Sequence, residues 1–362
     1  MKVCVYAISK NEEKFVSRWF NSMKEADEIY VLDTGSTDDT VNKLRSLGVN
    51  VVSKFISPWR FDVARNESLK LVPHDTDVCV SCDIDEVFEK GWRKKLEKAW
   101  TKEVTRLSYN YNWSLDESNH PLVNFYIQKI HSREKYEWRH PIHEVLNYIG
   151  SGKENIKVCD EITVNHYPDK GKSRSSYLSL LELSVKEDPT DDRNMHYLGR
   201  EYMYNGMWNE AIDTLICHLS LEKATWRDER CASMRFIGRC YKRLKRYEEA
   251  RMWLDKAISE APYLRDPYME RAIFEYDLFN YKDVKKYCLL ALNIKNHKKS
   301  YINEVFSWDN TVYDLLSVSS YYLGDYDKAL VFVKKALEMS PRDERLKNNL
   351  KLIVNKCRKD VR

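Results

Sequence analysis

The N-terminal half of the chain alternates short β-branched runs with amphipathic ones, and each β-branched run ends on polar or acidic residues. "KVCVYAIS" leads into "KNEE", "EIYVLDTGSTDDT" ends on Asp33 and Gly35, and "TDVCVSCDID" ends on Asp83 and Asp85. Between them, "EKFVSRWFNSMKEA" sets Phe15, Trp19 and Met23 on one helical face, "TVNKLRSLG" stops at Gly48 before the strand "VNVVSKFI", and "FDVARNESLKLV" reads as a helix opened by Asp62 in a capping position. Repeating β-then-α units predict a largely parallel sheet covered by helices. In open sheets of that class, ligands lie beyond the carboxyl ends of the strands. Asp33, Gly35 and the cluster Asp83, Asp85 and Glu86 all fall at such ends.

That cluster asks for compensation, because a fully apolar strand delivers three carboxylates to one turn. Asp83 and Asp85, one residue apart where the strand breaks down, can face the same side and share a hard divalent cation such as Mg²⁺ or Mn²⁺. The cation would neutralise a diphosphate leaving group. Taken alone, Asp-x-Asp also describes a solvated acidic turn. Cys79 and Cys82 have a C-x-x-C spacing, but residues three apart on a strand face opposite sides of the sheet, so both read as core. The aromatic stretch "YNYNWSLDESNHPLVNFY" offers Trp113 and Tyr126 for stacking on a sugar, or for packing beneath a loop.

Length and composition set outer bounds. The chain has 362 residues, 43% hydrophobic and 12% aromatic, enough for about two domains. Sixty basic against 56 acidic residues leave a net charge of +4, which gives nucleic acid no electrostatic support without ruling it out. Nine cysteines without a framework of spacings, and an N-terminal apolar run too short for a signal peptide, predict a reduced cytoplasmic protein. No stretch approaches ~18 uninterrupted apolar residues, so no membrane span is expected.

From about Tyr177 the texture becomes continuous helix with a long period. The anchors "GMWNEAI", "KRYEEAR", "FNYKDVK" and "GDYDKAL" place Trp208, Tyr247, Tyr281 and Tyr326 at spacings of 39, 34 and 45 residues. Each follows one amphipathic helix by a short turn and begins another. This resembles the tetratricopeptide repeat, whose stacked helix pairs form a concave surface for a peptide or a second subunit. Most Tyr, Trp and Leu residues at helical spacing in it read as interior packing. The polar segment "YPDKGKSRSSY" is the expected boundary, giving domains at 1–170 and 177–362.

Four motifs in the first domain, "AISKNEE", "VLDTGSTDDT", "FDVARNESL" and "CDIDE", occur in the order and spacing of the family-2 glycosyltransferases of the GT-A fold. The resemblance covers about residues 1–167, and "HPIHEVL" and "ITVNHYP" are similar to later motifs of the branch that carries C-terminal tetratricopeptide repeats, which includes bacterial peptide and surface-glycan transferases. It implies an α/β GT-A domain, Rossmann-like, followed by an all-α repeat domain. The implied donor pocket contains Ser9, Asn11, Glu12, Asp33, Gly35, Ser36, Thr37, Arg65, Asn66, Asp83 and His143. Asp33 would accept from the base, while Arg65 and Asn66 would hold the ribose-diphosphate side. Asp83, Asp85 and His166 would hold the metal.

The activity so implied is inverting, metal-dependent transfer of a hexose or N-acetylhexosamine from a nucleotide sugar, a UDP-sugar first among donors, to a protein, peptide or glycan. An inverting transfer needs a general base near the acceptor. Glu144 in "HPIHE" is the first candidate, with Glu86 and Asp116 as competitors, and the His-Glu pairing departs from the usual pattern. Arg65 also reads as a helix-surface charge, and His143 and His166 as structural histidines. Two other functions stay open: a transferase acting on hydroxylated bases of phage-type DNA, and a degenerate sugar-nucleotide scaffold whose repeats bind a partner or form a homo-oligomer.

Overall fold

The computed structural model describes residues 1–169, 171, 176–298 and 300–360. It divides into two compact units, Met1–Glu187 and Asp188–Arg362. The expected boundary segment lies partly outside the described residues, at 170 and 172–175. The helix Tyr177–Glu187, placed with the repeats by the sequence reading, groups with the first unit.

The first unit runs β1 (Val3–Ser9), α1 (Val16–Met23), β2 (Glu28–Asp33), α2 (Thr40–Ser46), β3 (Asn50–Ser53), α3 (Phe61–Lys70), β4 (Val78–Ser81), β5 (Glu86–Phe88) and α4 (Trp92–Ala99). Then come β6 (Arg106–Leu115), β7 (Pro121–Ser132), β8 (Tyr136–Arg139), β9 (Val145–Tyr148), β10 (Ile156–His166) and α5 (Tyr177–Glu187). One eight-stranded sheet has the order β3-β2-β1-β4-β7-β6-β10-β5, and β8 and β9 form a separate ribbon. Strands β3, β2, β1 and β4 are parallel, with Ser9 paired to Asp33 and Tyr6 to Ser81. Beyond β4 the sheet turns mixed: β7 is antiparallel to both β4 and β6. A continuous parallel run therefore holds only for the first four strands, with one further parallel pair between β6 and β10. The aromatic stretch forms the β6–β7 hairpin, and Trp113 and Tyr126 stand half exposed on it rather than packed beneath a loop.

The two faces of the sheet follow the period of two along each strand. Val3, Val5 and Ala7 face a core closed by Trp19 and Met23 of α1, Leu44 of α2 and Trp92 and Leu96 of α4. Cys4, Tyr6 and Cys79 face the other side, under Leu69 of α3 and Tyr136, Trp138 and Leu146 of the ribbon. Cys82 belongs to the first core, so the two cysteines of the C-x-x-C lie on opposite faces, and all nine cysteines are free. Helix α3 begins one residue before the expected cap: Arg60 is extended at its N-terminus, and Asp62 sits in the first turn, where both its oxygens take Arg60 at 3.0 and 2.8 Å.

The second unit comprises α6 (Asp192–Tyr204), α7 (Trp208–Ser220), α8 (Arg227–Arg243), α9 (Tyr247–Glu260), α10 (Asp266–Asp277), α11 (Tyr281–Asn293), a 3₁₀ turn at Val305–Ser307, α12 (Thr311–Tyr322), α13 (Tyr326–Met339) and α14 (Glu344–Asp360). Every sequence anchor opens the second helix of a pair: Trp208, Tyr247, Tyr281 and Tyr326 are first residues of α7, α9, α11 and α13. Ala211, Ala250, Val284 and Ala329, one turn later, are fully buried. Close approach of α6 to α7 depends on Gly199, where a Cβ would stand 2.5 Å from Leu215 Cγ. Among the described residues no helix is long and apolar enough to cross a membrane.

Under the ribbon runs a buried polar relay. Trp138 Nε1 donates to the Tyr6 hydroxyl at 2.8 Å, Tyr6 donates to His131 Nε2 at 2.8 Å, and His131 Nδ1 donates to the Ser132 carbonyl at 2.9 Å. Tyr6→Phe leaves the Trp138 and His131 nitrogens without partners, and urea unfolding should show a loss of about 1–3 kcal/mol. Burial holds His131 neutral, its pKa down at about 3. Between roughly pH 6.5 and that value the unfolded chain binds a proton that the folded chain refuses, so stability falls as pH falls through this window. Urea midpoints at pH 7 and pH 5 should differ in the parent and differ less in His131→Gln.

Candidate active site

The carboxyl ends of β1, β2 and β4 carry the residues that the sequence singles out. Asp33, at the end of β2, spends its carboxylate on its own loop. It accepts from the Gly35 N–H at 3.1 Å, the Ser36 N–H at 3.0 Å, the Ser36 hydroxyl, and the Ser9 hydroxyl at 3.2 Å. Gly35 has φ +107°, a left-handed conformation that an L side chain resists, so the turn needs glycine there. Asn11 stitches the β1–α1 loop to this one: its side-chain oxygen accepts from the Thr37 N–H at 2.7 Å, and its own N–H donates to Ser36 Oγ at 2.9 Å. The Glu12 N–H donates to Thr40 Oγ1 at 2.8 Å. Ser9, Asn11, Glu12, Asp33, Gly35, Ser36 and Thr37 are thus brought together as one pre-formed double loop.

The end of β4 is compensated by the protein's own cations. Arg65 of α3 grips Asp83 with two parallel bonds, Nη1 at 2.8 Å and Nη2 at 3.0 Å, and its Nε contacts Glu144. Lys129 of β7 reaches Asp83 at 2.9 Å and Glu86 at 2.8 Å. Burial alone would raise the Asp83 carboxyl, but Arg65 and Lys129 hold it far below the usual carboxylate range. Glu86 is buried and fully used, accepting from the Tyr111 hydroxyl at 2.9 Å and from the Asp83 N–H at 2.9 Å. It closes the turn from a buried position. Asp116 shapes the β6–β7 turn, its Oδ1 taking the Ser118 and His120 N–H groups at 2.8 Å.

Asp85 lies apart from both cations and beside His166, with Oδ2 and Nε2 3.4 Å apart. His166 stacks on Trp113 with ring centroids 4.7 Å apart, and its Nδ1 donates to the Trp113 carbonyl at 3.1 Å. A proton fixed on Nδ1 leaves a lone pair on Nε2 facing a carboxylate oxygen. Two acceptors so placed need a proton or a cation between them. Adjacent ligands on a divalent ion with ~2.1 Å bonds stand about 3 Å apart, and a histidine whose other nitrogen is held by a carbonyl is the usual arrangement of a metal ligand. The donor set of Asp85 and His166 fits Mn²⁺, and its imidazole nitrogen suits Mg²⁺ less. Asp83 is turned to the protein's own cations instead, with Oδ1 taken by Arg65 and Oδ2 by Arg65 and Lys129.

Two further expected donor residues are engaged elsewhere. Asn66 pairs with the Trp138 backbone, donating to its carbonyl and accepting from its N–H, both at 2.8 Å, which anchors the ribbon to α3. His143 has φ +52° and meets Tyr177 edge-on at 6.3 Å. Lys129 and Tyr111 escaped the sequence reading. The one available signal was a lysine in the otherwise mostly apolar or uncharged run "NFYIQKI".

Residues 4–160 match the profile described as glycosyl transferase family 2, and residues 236–263 and 311–343 match a tetratricopeptide repeat. The chain carries a family 2 glycosyltransferase domain followed by tetratricopeptide repeats. An uncharacterized glycosyltransferase of Rickettsia typhi is 22% identical over 282 residues, 77% of this chain and 84% of its own length. The SPbeta prophage-derived glycosyltransferase SunS of Bacillus subtilis is 27% identical over 291 residues, 75% of this chain. The match spans 66% of SunS, just under two thirds of its length. Among solved structures, a tetratricopeptide protein of Thermus thermophilus covers 50% of this chain at 20% identity and a TM-score of 0.36.

In this family 2 domain the Lys129 pairs can be weighed. Removing one member of a buried ionic network leaves the other charges uncompensated, at a cost of about 3–5 kcal/mol. Lys129→Met should lose that much in urea unfolding, and adding Glu86→Gln should restore part of it. Equal destabilisation in the single and double variants would mean that charge compensation is not what Lys129 supplies.

Proposed function

We propose that the chain is an inverting, metal-dependent glycosyltransferase that moves a hexose or N-acetylhexosamine from a nucleotide sugar, with UDP-sugars the first donors to try, to a protein, peptide or glycan acceptor. The observation that carries this reading is the Asp85–His166 pair, two facing acceptors at the carboxyl end of a buried strand, next to a donor loop already organised by Asp33. Bound there, Mn²⁺ or Mg²⁺ would neutralise the diphosphate as it leaves.

The chain's own residues supply orientation and charge. The double loop of Asp33, Gly35 and Ser36 offers a rigid floor for the base and ribose, with Ser36 the hydroxyl nearest to exchanging its Asp33 bond for a ligand. Arg65, always charged, is the nearest guanidinium for a phosphate oxygen. Glu144 is retained as base under one condition: Arg65 must release it. A carboxylate bound to a guanidinium is a poor proton acceptor, and a diphosphate that draws Arg65 away would free Glu144 for the acceptor hydroxyl or thiol. If Glu144 instead only orients Arg65, Glu144→Gln should raise the donor KM and leave the pH profile of kcat unchanged. A base role predicts a fall in kcat of about 10²-fold or more with loss of the acidic limb. The repeats, on this reading, recruit the acceptor or a second copy of the chain.

Thermal shift with UDP-, GDP- and dTDP-sugars, each with and without Mn²⁺, selects the donor, since a ligand at 100 times its Kd stabilises the folded state by about 2.7 kcal/mol. Asp85→Asn should abolish the Mn²⁺-dependent part of that shift and lower transfer by at least about 10²-fold. Full transfer by Asp85→Asn, or by the parent with the metal chelated, would sink the metal-dependent mechanism.

A further inference from the structure

Where the first three helices of the repeat unit meet, a second set of metal-type ligands is assembled. Asp192 stands in the first turn of α6, His218 in the last turn of α7 and Glu229 in the first turn of α8, and one ligand atom from each lies within 4.8 Å of the others. Among the described residues this is the one group of three or more histidine, cysteine or carboxylate side chains so arranged. His218 and Glu229 are buried, while Asp192 is partly exposed and gives the group an opening to solvent.

The histidine carries the independent signal. Its Nδ1 is held by the Ser233 hydroxyl at 3.0 Å, one helical turn beyond Glu229, and that same hydroxyl meets His196 Nδ1 at 2.7 Å. His218 Nε2, fully buried, has no hydrogen-bond partner and points at Glu229 Oε1 3.5 Å away. Ser233 has one proton and two histidines to satisfy, so at least one Nδ1–H must donate to it. With His218 as that donor, the Nε2 lone pair faces a carboxylate with nothing between them. Glu229 has committed its other oxygen to the Tyr301 hydroxyl.

We propose that Asp192, His218 and Glu229 bind one divalent transition-metal ion, of the zinc class, that ties α6, α7 and α8 together. One imidazole and two carboxylates with a position open to solvent form a borderline donor set that suits Zn²⁺ and disfavours Mg²⁺, which keeps to oxygen. Placed between helices, the ion secures the start of the repeat stack, whose first three helices it joins.

The full-length chain bearing Asp85→Asn and His166→Asn removes the metal pair of the catalytic domain and isolates this site, so either assignment can fail without the other. After stripping with chelator, equilibrium dialysis against Zn²⁺ should retain about one equivalent per chain, and Co²⁺ should give a visible absorption band. Adding His218→Gln should weaken Zn²⁺ at least about 100-fold and adding Asp192→Asn at least about 10-fold, with far-UV circular dichroism unchanged. Should His218→Gln fail to fold, the partly exposed Asp192→Asn variant decides: Zn²⁺ should raise its unfolding temperature less than it raises the parent's. Retention of no Zn²⁺ at micromolar free metal, or equal affinity in parent and Asp192→Asn, overturns the proposal and leaves His218 and Glu229 as a proton-bridged pair.

Discussion

The Arg65 guanidinium is the piece on which the first unit's functional end depends. It comes from α3, grips Asp83 at the end of β4, contacts Glu144 after the β8 strand, and lies 4.9 Å from the centroid of the Trp138 ring. Three stretches of the chain, around residues 65, 83 and 138–144, therefore share one rigid, always-charged fork. Buried ion pairs add little net stability, because desolvation offsets the Coulomb gain, but losing one partner is costly. What such a network fixes is geometry. From Trp138 the contacts run to Tyr6 and His131 in the core, and from Asp83 they run to Lys129, Glu86 and Tyr111. The site is thus an extension of the buried polar framework rather than a set of side chains laid on a surface.

The same network divides labour within Asp-x-Asp. Asp83 faces two cations of the chain, and its negative charge is spent on holding α3 and β7 to the end of β4. Asp85, two residues on, is past the reach of both and keeps a partly exposed carboxylate beside the His166 imidazole. The sequence motif treats the two as equivalent; their neighbours do not. Counting Arg65 and Lys129 against Asp83, Asp85, Glu86 and Glu144 leaves two negative charges, which a divalent cation would cancel.

What could be read in the sequence was whatever is local. The βα alternation, the strand ends at Asp33 and Asp83, the opposite facing of Cys79 and Cys82 and the helix-opening anchors Trp208, Tyr247, Tyr281 and Tyr326 all depend on spacings within one or two elements. What could not be read depends on pairing across the chain. Lys129 reaches Asp83 only because β7 inserts antiparallel beside β4, and nothing near position 129 announces that neighbour. Asn66 sits in a convincing motif but has its partner 72 residues away, in the Trp138 backbone. The β6–β7 hairpin goes unassigned in the sequence because its Asn and Ser residues interrupt the alternation, although their side chains find partners across the sheet, as Asn112 does with Asn165 and Asn124.

His166 and His218 pose one electrostatic problem in two settings. Each has its Nδ1 in a local hydrogen bond and presents Nε2 to a carboxylate at 3.4 or 3.5 Å. That separation is too long for a strong charge-assisted hydrogen bond and too short for two bare acceptors in a low dielectric. At His166 the neighbouring opening to solvent lets substrate phosphates complete a cation's coordination, which suits an ion that must exchange with each donor. At His218 the carboxylate and imidazole are buried between helices, so an ion there would be slow to leave and would act on the fold. Burial of the imidazole and its carboxylate, together with the third ligand, separates a structural metal position from a working one.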